Sequence, residues 1–159
     1  MDNGWQNSAA AWIADQGEHG DFGRRYVLDP VMLPLALARK PKTALDVGCG
    51  EGRLCRLLRA HGIAPTGVDP TQSLISHARA RDPGGFYVEA AAEAMPFDDA
   101  SFDLVVSYLS LIDIPDYRAG ITESFSQVLN HASAELPITF TAVPFGLGPR
   151  LGIDRDEDG

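Results

Sequence analysis

The chain has 159 residues, of which 45% are hydrophobic and 22% charged, and its formal net charge is −9. This length and composition predict one globular domain around a single hydrophobic core. The acidic balance argues against nucleic acid as a main partner, and we find no apolar run of the roughly 20 residues that would predict a membrane span.

The N-terminal stretch and the cysteine content bear on the cellular setting. The first residues, MDNGWQNSAA, lack the basic start and the apolar run of a secretory signal. Cys49 and Cys55 are too few to form a disulfide framework. We therefore expect a reduced, cytoplasmic setting and no membrane partner.

The first part of the chain, residues 1–41, is predicted to be a helical N-terminal segment. One helix is expected to begin at Ser8, in SAAAWIADQG, and a second to lie in DPVMLPLALARK. Pro30 is acceptable near the start of the second helix. Pro34 is awkward there unless it also lies in the first turn.

From Lys42 onward, predicted strands alternate with predicted helices of similar length. The strands are TALDVG, APTGVDP, FYVEA, FDLVVSYL and LPITFTAVP, and the helices are EGRLCRLLRAHG, TQSLISHARARD and DYRAGITESFSQVLN. This alternation predicts the α/β class, with a Rossmann-like, doubly wound, mostly parallel sheet and helices on both faces. Residues 42–145 are the predicted core. Ligands bind such sheets beyond the carboxyl ends of the strands.

The stretch LDVGCGEGRL, residues 45–54, places three glycines between the first core strand and the helix that follows. A tight turn without a ligand is one interpretation. A nicotinamide dinucleotide site is a second, although its fingerprint is G-x-G-x-x-G and the spacing here is G-x-G-x-G. A nucleoside ligand without a pyrophosphate is a third. For both ligands, Asp69 at the end of the second strand is placed to accept hydrogen bonds from ribose.

Three segments in order resemble the motifs of class I S-adenosylmethionine-dependent methyltransferases. They are LDVGCGEGRL, then GVDPTQSLISHAR, then EAAAEAMPFDDASFDLVVSYLSLIDIPDY, and the resemblance covers roughly residues 42–130. It implies S-adenosylmethionine as the cofactor and methyl transfer, which we expect to act on a small-molecule acceptor.

The resemblance also implies which residues meet the methionine part of the cofactor. Asp46 would help to hold the turn and would face the cofactor's amino group. The backbone of the turn would pass close to the methionine chain, and the end of the fourth strand would lie under the sulfonium. These further residues are Gly48, Cys49, Gly50, Ser107 and Tyr108.

On the adenosine side, the resemblance implies that Asp69 binds the ribose hydroxyls and that Pro70 flanks the adenine. Leu74 either packs on the adenine or belongs to the core. Relatives commonly carry an Asp where this chain has Ala91, so Ala92 and Glu93 are expected to offer backbone groups to the ring edge. A lost hydrogen bond would weaken affinity without abolishing it.

No catalytic residue and no metal site are assigned from the sequence. Asp113, His19 and Tyr26 are candidate bases, although a turn-capping role is favoured for Asp113 and a solvated position for His19. The N-terminal segment either forms a lid, with Trp12, Arg24, Arg25 and Tyr26 meeting the cofactor or acceptor, or only packs on the sheet. No histidine or cysteine has partners at metal-ligand spacing.

The C-terminal residues 146–159 read as an irregular acidic tail, so we expect the last strands of the methyltransferase fold to be missing. This feature supports an alternative function, a truncated or degenerate S-adenosylmethionine-binding domain without turnover. A nicotinamide-dependent oxidoreductase is the third candidate.

Without further strands, LPITFTAV would form an exposed sheet edge, since Pro137 and Pro144 guard only its ends. We therefore expect a homo-oligomer, or an aggregation-prone protein, through this edge, visible in light scattering as a mass above that of the monomer. A sharp monomer peak at high protein concentration would count against it.

Overall fold

The structure is a computed structural model that describes residues 4–38, 40–98, 100–110 and 113–114, together with the backbone of residues 139–141. Its N-terminal segment contains helix α1 (Trp5–Gln16), a π-helical turn (Arg24–Leu28) and helix α2 (Asp29–Leu37). Helix α1 begins three residues earlier than the predicted start at Ser8. Pro34 lies inside α2, beyond its first turn, while Pro30 occupies the tolerated position near the start.

The core follows the predicted alternation. Strands β1 (Thr43–Val47), β2 (Ala64–Asp69), β3 (Phe86–Glu89), β4 (Leu104–Ser107) and β5 (Thr139–Thr141) are joined by helices α3 (Arg53–Ala60) and α4 (Gln72–Arg81) and by a 3₁₀ turn (Ala92–Ala94). Thr71 occupies the cap position of α4, but its side chain makes no capping hydrogen bond. The predicted helix at residues 116–130 and the tail at 146–159 lie outside the described residues.

The sheet confirms the predicted parallel α/β arrangement. The described strands lie in the order β3-β2-β1-β4-β5, and every neighbouring pair is parallel. Among these strands, β1 is central and β5 lies at an edge. Strand order reverses between β1 and β4, so the crevice for a ligand is expected beyond the ends of β1, β2 and β4.

Alternate residues of β1 face opposite layers of the molecule, as period-two alternation requires. Ala44 packs with Leu54 and Leu58 of α3, and α2 contributes to the same cluster. Leu45 and Val47 pack on the other side with Phe102 and other apolar side chains from residues 88–105. The helices among the described core residues therefore cover one face, while the segment after β3 covers the other.

Two leucines on neighbouring helices provide a test of this packing. Leu58 of α3 is fully buried, whereas Leu35 of α2 is 46% exposed. We predict that Leu58→Ala lowers the free energy of unfolding by about 2–5 kcal/mol because it leaves a cavity in the core. Leu35→Ala is the matched control and should change it by less than about 0.5 kcal/mol. Urea titration measures both, and equal losses would contradict the assigned burial.

Candidate functional site

A cavity of about 570 Å³ lies at the carboxyl ends of the central strands, where the topology places it. Its wall combines the turn after β1, the ends of β2 and β3, the segment after β4, and parts of the N-terminal helices. All but one of the candidate cofactor residues line it. Those on the wall are Asp46, Gly48, Cys49, Gly50, Asp69, Pro70, Ala92, Glu93 and Tyr108.

The glycine turn is fixed to the end of β2 by backbone hydrogen bonds. The amides of Gly48 and Cys49 both donate to the carbonyl of Val68, at 2.8 and 2.9 Å. Gly48 has a φ of 75°, and a Cβ at this position would collide with the side chain of Ser110. Glycine is therefore required here both by the backbone conformation and by the close approach of the segment after β4.

Asp69 links the same turn to the start of α4. Its Oδ2 accepts from the Gly50 amide at 3.0 Å, and its Oδ1 accepts from the Thr71 amide at 2.8 Å. A carboxylate has about four lone-pair sites, so these two bonds leave capacity for hydroxyl donors. The side chain holds the turn and also faces the cavity.

Asp46 is a buried carboxylate with an unsatisfied oxygen. Its Oδ2 accepts from the Cys55 thiol at 3.5 Å, whereas its Oδ1 accepts no hydrogen bond from any residue that the structure describes. Burial raises the pKa of Asp46 to about 7; the Cys55 hydrogen bond opposes this rise, and the charge of Asp69 adds to it. Asp46 lines the cavity, so a ligand that brings an N–H or O–H donor to this buried oxygen would satisfy it.

Gln16, the last residue of α1, brings a second unsatisfied acceptor to the same cavity. The residue is 4% exposed, and its Nε2 donates to Asp21 Oδ2 at 3.2 Å, while its Oε1 accepts no hydrogen bond from the described part of the chain. Asp46 and Gln16, from different parts of the chain, thus both line the cavity and both carry a buried acceptor that lacks a donor among these residues. Both are oxygens, so the complementary ligand group is a hydrogen-bond donor.

The two cysteines near the turn are packing groups. Burial raises the pKa of both thiols well above the ordinary value. Cys49 and Cys55 pack with Ile75 and Ala78 of α4. They therefore stay protonated and do not act as nucleophiles.

Ser107, at the end of β4, lies behind the cavity wall. Its hydroxyl contacts that of Ser110 at 2.6 Å, and Ser110 in turn donates to the carbonyl of Val47 at 2.6 Å. Ser110 lines the cavity. Ser107 thus reaches the site through its neighbour, while Tyr108 lines it directly.

Four N-terminal residues line the cavity, namely Trp5, Trp12, Gln16 and Arg24. The two indole rings meet edge to face at 5.9 Å, and the guanidinium of Arg24 lies 5.6 Å from the centre of the Trp12 ring. The other N-terminal candidates, His19, Arg25 and Tyr26, do not line this cavity. Tyr26 is 59% exposed.

Asp113 brings a further carboxyl to the wall, beyond β4. Burial raises its pKa, the Trp5 side chain opposes the rise through a hydrogen bond, and the charge of Asp69 adds to it. Its own amide donates to the Ser110 carbonyl at 3.0 Å, so the residue also closes a turn. Leu74 both lines the cavity and is 3% exposed, which reconciles its two predicted roles.

Sequence reasoning missed Gln16, Arg53 and Ser110. Arg53 had a signal, because it directly follows the glycine turn at the start of α3. Ser110 and Gln16 had none, since a serine in a loop and a glutamine at a helix end are ordinary. Within the described ranges no group of three metal-ligating side chains occurs, and no described helix is long and apolar enough to cross a membrane.

The raised pKa of Asp46 has a consequence for stability. Its folded value is about 7 against an ordinary 3.8, so the folded protein keeps a proton that the unfolded chain releases within this window. Stability should therefore fall as the pH rises through the window. Asp46→Asn stays neutral and lacks this effect.

We predict that the stability of Asp46→Asn relative to the wild type rises by roughly 2–3 kcal/mol between about pH 5 and about pH 8. Urea unfolding at several pH values measures this difference. Other titrating groups are common to both proteins and cancel. Parallel pH profiles would show that Asp46 titrates normally.

Comparison with known proteins agrees with this geometry. Residues 45–132, more than half of the chain, match a family model described as a methyltransferase domain. The chain is 36% identical over 94 residues to malonyl-[acyl-carrier protein] O-methyltransferase of Enterobacter lignolyticus, covering 59% of this chain and 37% of that protein. It is 32% identical over 130 residues to demethylmenaquinone methyltransferase of Thermus thermophilus, covering 76% and 59%.

The solved structures agree on the fold. A protein of Pyrococcus horikoshii OT3 superposes with a TM-score of 0.68 at 22% identity, covering 86% of this chain and 66% of that one. The chain spans only part of the length of its curated relatives, between 37% and 59% for the two above. The match over its core nevertheless exceeds half of its length, and the chain belongs to the class I S-adenosylmethionine-dependent methyltransferase family.

Proposed function

We propose that the protein binds S-adenosylmethionine in this cavity and transfers its methyl group to a small, largely apolar acceptor. The observation that carries the proposal is the pair of buried acceptor oxygens that lack a donor among the described residues, Asp46 Oδ1 and Gln16 Oε1. The cofactor's amino group would supply the donors that both oxygens lack. Asp69 would take the ribose hydroxyls, with Pro70 and the backbone of Ala92 and Glu93 around the adenine.

S-adenosylmethionine supplies, when bound, a methyl group already activated on a sulfonium. The protein's task is then to align a nucleophile and to exclude water. Tyr108 lines the cavity at the end of β4, and Trp5 and Trp12 enclose it from the N-terminal side. The two indoles would hold the acceptor against the glycine turn, and Tyr108 would lie beside the methionine part of the cofactor.

The acceptor class follows from the apolar side chains on the β4 side. Leu109 and Ile114 line this part together with Trp5 and Trp12. Such a surface favours a ligand with an apolar body. The relative from Enterobacter lignolyticus is named an O-methyltransferase, so acceptors with an oxygen nucleophile are the first to screen.

Asp113 is the proposed general base where the acceptor needs one. It lies on the acceptor side of the cavity, and burial raises its pKa. A carboxylate with a raised pKa takes a proton more readily than an ordinary one. A strongly acidic acceptor would react without it.

Turnover is favoured over binding alone because the curated relatives described above are named as methyltransferases. Nicotinamide dinucleotide is disfavoured by the glycine spacing. Direct titration of S-adenosylhomocysteine and of NAD distinguishes the two cofactor classes.

We predict that S-adenosylhomocysteine binds the wild type with a dissociation constant of about micromolar order, that NAD does not bind, and that Asp69→Ala weakens S-adenosylhomocysteine at least about tenfold. Calorimetric titration measures all three. Asp103→Ala is the matched control, because Asp103 also accepts two backbone amides, from Lys42 and Thr43, at the opposite ends of the strands.

The control separates a ribose contact from loss of structure. If both variants lose affinity equally, the effect of Asp69 is only structural. If the wild type binds NAD and not S-adenosylhomocysteine, the proposed cofactor is wrong.

A further inference from the structure

Asp29 ties together three parts of the protein that surround the cavity. It is the first residue of α2, and it lies behind the wall of the main cavity without lining it. Its Oδ1 accepts from the Tyr108 hydroxyl at 2.9 Å and from Arg53 Nη1 at 3.1 Å, and its Oδ2 accepts from Arg53 Nη2. Tyr108 and Arg53 both line the cavity. One half-buried carboxylate thus orients side chains that follow β4 and begin α3.

The contact with Asp29 decides what Tyr108 offers to a ligand. A phenol has one hydrogen to donate, and here it is given to Asp29. Burial raises the pKa of Tyr108, and the hydrogen bond to Asp29 and its charge raise it further, so the phenol stays protonated. Any further contact of this hydroxyl is therefore made as an acceptor.

The contact with Arg53 fixes the N-terminal segment. Arg53 Nε donates to the carbonyl of His19 at 2.7 Å, and a Cβ on Gly20 would collide with the Arg53 side chain. The chain at residues 19–20 therefore lies directly on Arg53. This stretch lies between Gln16 and Arg24, two cavity-lining residues, so the position of Arg53 sets where both of them lie.

The sheet order places these contacts at one end of the cavity. Asp69 and Pro70 follow β2, and Ala92 and Glu93 follow β3, on one side of β1. Tyr108 follows β4 on the other side. Under the proposed function, the first side takes the adenosine and the second takes the methionine part of the ligand.

We propose that Asp29 is a positioning residue for the methionine part of the ligand, acting through Tyr108 and Arg53. The inference rests on the proposed function and assigns a role to a residue that does not touch the ligand. Substitution of Asp29 should therefore weaken the binding only of ligands that carry the amino-acid chain.

The test compares two ligands with two variants by calorimetric titration. S-adenosylhomocysteine carries the amino-acid chain, and methylthioadenosine has the same nucleoside without it. Asp29→Asn should weaken the first about tenfold and change the second by less than about twofold. A general loss of structure would weaken both ligands alike. It would therefore leave the selectivity, the ratio of the two dissociation constants, unchanged.

Asp82→Asn is the matched control. The Asp82 carboxylate also accepts from a tyrosine hydroxyl, that of Tyr87 at 2.9 Å, and pairs with an arginine, Arg59, at 3.5 Å. It follows α4, before β3, away from the cavity. This variant should leave the selectivity between the two ligands unchanged.

Tyr108→Phe is the second variant, since it removes only the hydroxyl that Asp29 orients. It should reduce the selectivity in the same direction as Asp29→Asn and by less. Equal weakening of both ligands in Asp29→Asn, or unchanged binding of S-adenosylhomocysteine, would overturn the role of Asp29 alone. A wild type that binds neither ligand would overturn the proposed function as well.

Discussion

The structure depends on the attachment of the glycine turn to the end of β2. One carbonyl, that of Val68, accepts two consecutive amides of the turn, and the carboxylate of Asp69 accepts a third. These bonds satisfy three backbone donors of the turn within the protein. The turn itself lines the cavity. Because β1 is central in the sheet and its neighbours are parallel, the ends of β2 and β4 are brought to the same turn.

Two buried acceptor oxygens of cavity-lining residues lack hydrogen-bond donors among the described residues. Asp46 is fully buried and lies close enough to Asp69 for the charge of Asp69 to raise its pKa. An unsatisfied buried oxygen costs free energy in the unliganded protein. A ligand that brings a donor removes this cost on binding, which adds to its affinity. The same reasoning applies to Gln16 Oε1, which comes from a separate helix.

Much of the core and of the cavity could be predicted because the information is local. The run TALDVG is apolar enough to be a buried strand, and the glycines that follow it specify a turn whose place at the sheet edge follows from topology. Asp46, Gly48 and Asp69 lie within these local signals. All three residues line the cavity.

The contacts that the sequence did not reveal join distant parts of the chain. Asp29 and Tyr108 are separated by 79 positions, and nothing in either neighbourhood indicates that they meet. Ser107 was expected in the site. Successive side chains at a strand end point in opposite directions, however, and Ser107 contacts Ser110, which is the serine that lines the cavity. Pro34 was expected only near a helix start, yet packing of α2 on the core overrides the local penalty.

The side of the cavity beyond β4 is where the N-terminal segment and the sheet depend on each other most. Trp5 reaches the carboxyl of Asp113, while the other end of the segment is held by Arg53, and also by Arg81, which donates to the Gly17 carbonyl at 2.9 Å. The segment is thus attached at both ends and crosses the cavity between them. Helix α1 is also held between these points, because Ala9 in its middle is 1% exposed and the Gln6 side chain accepts from the Ser73 amide at 3.4 Å. Several charged hydrogen bonds hold the chain after α1, so this is the more firmly attached end of the segment.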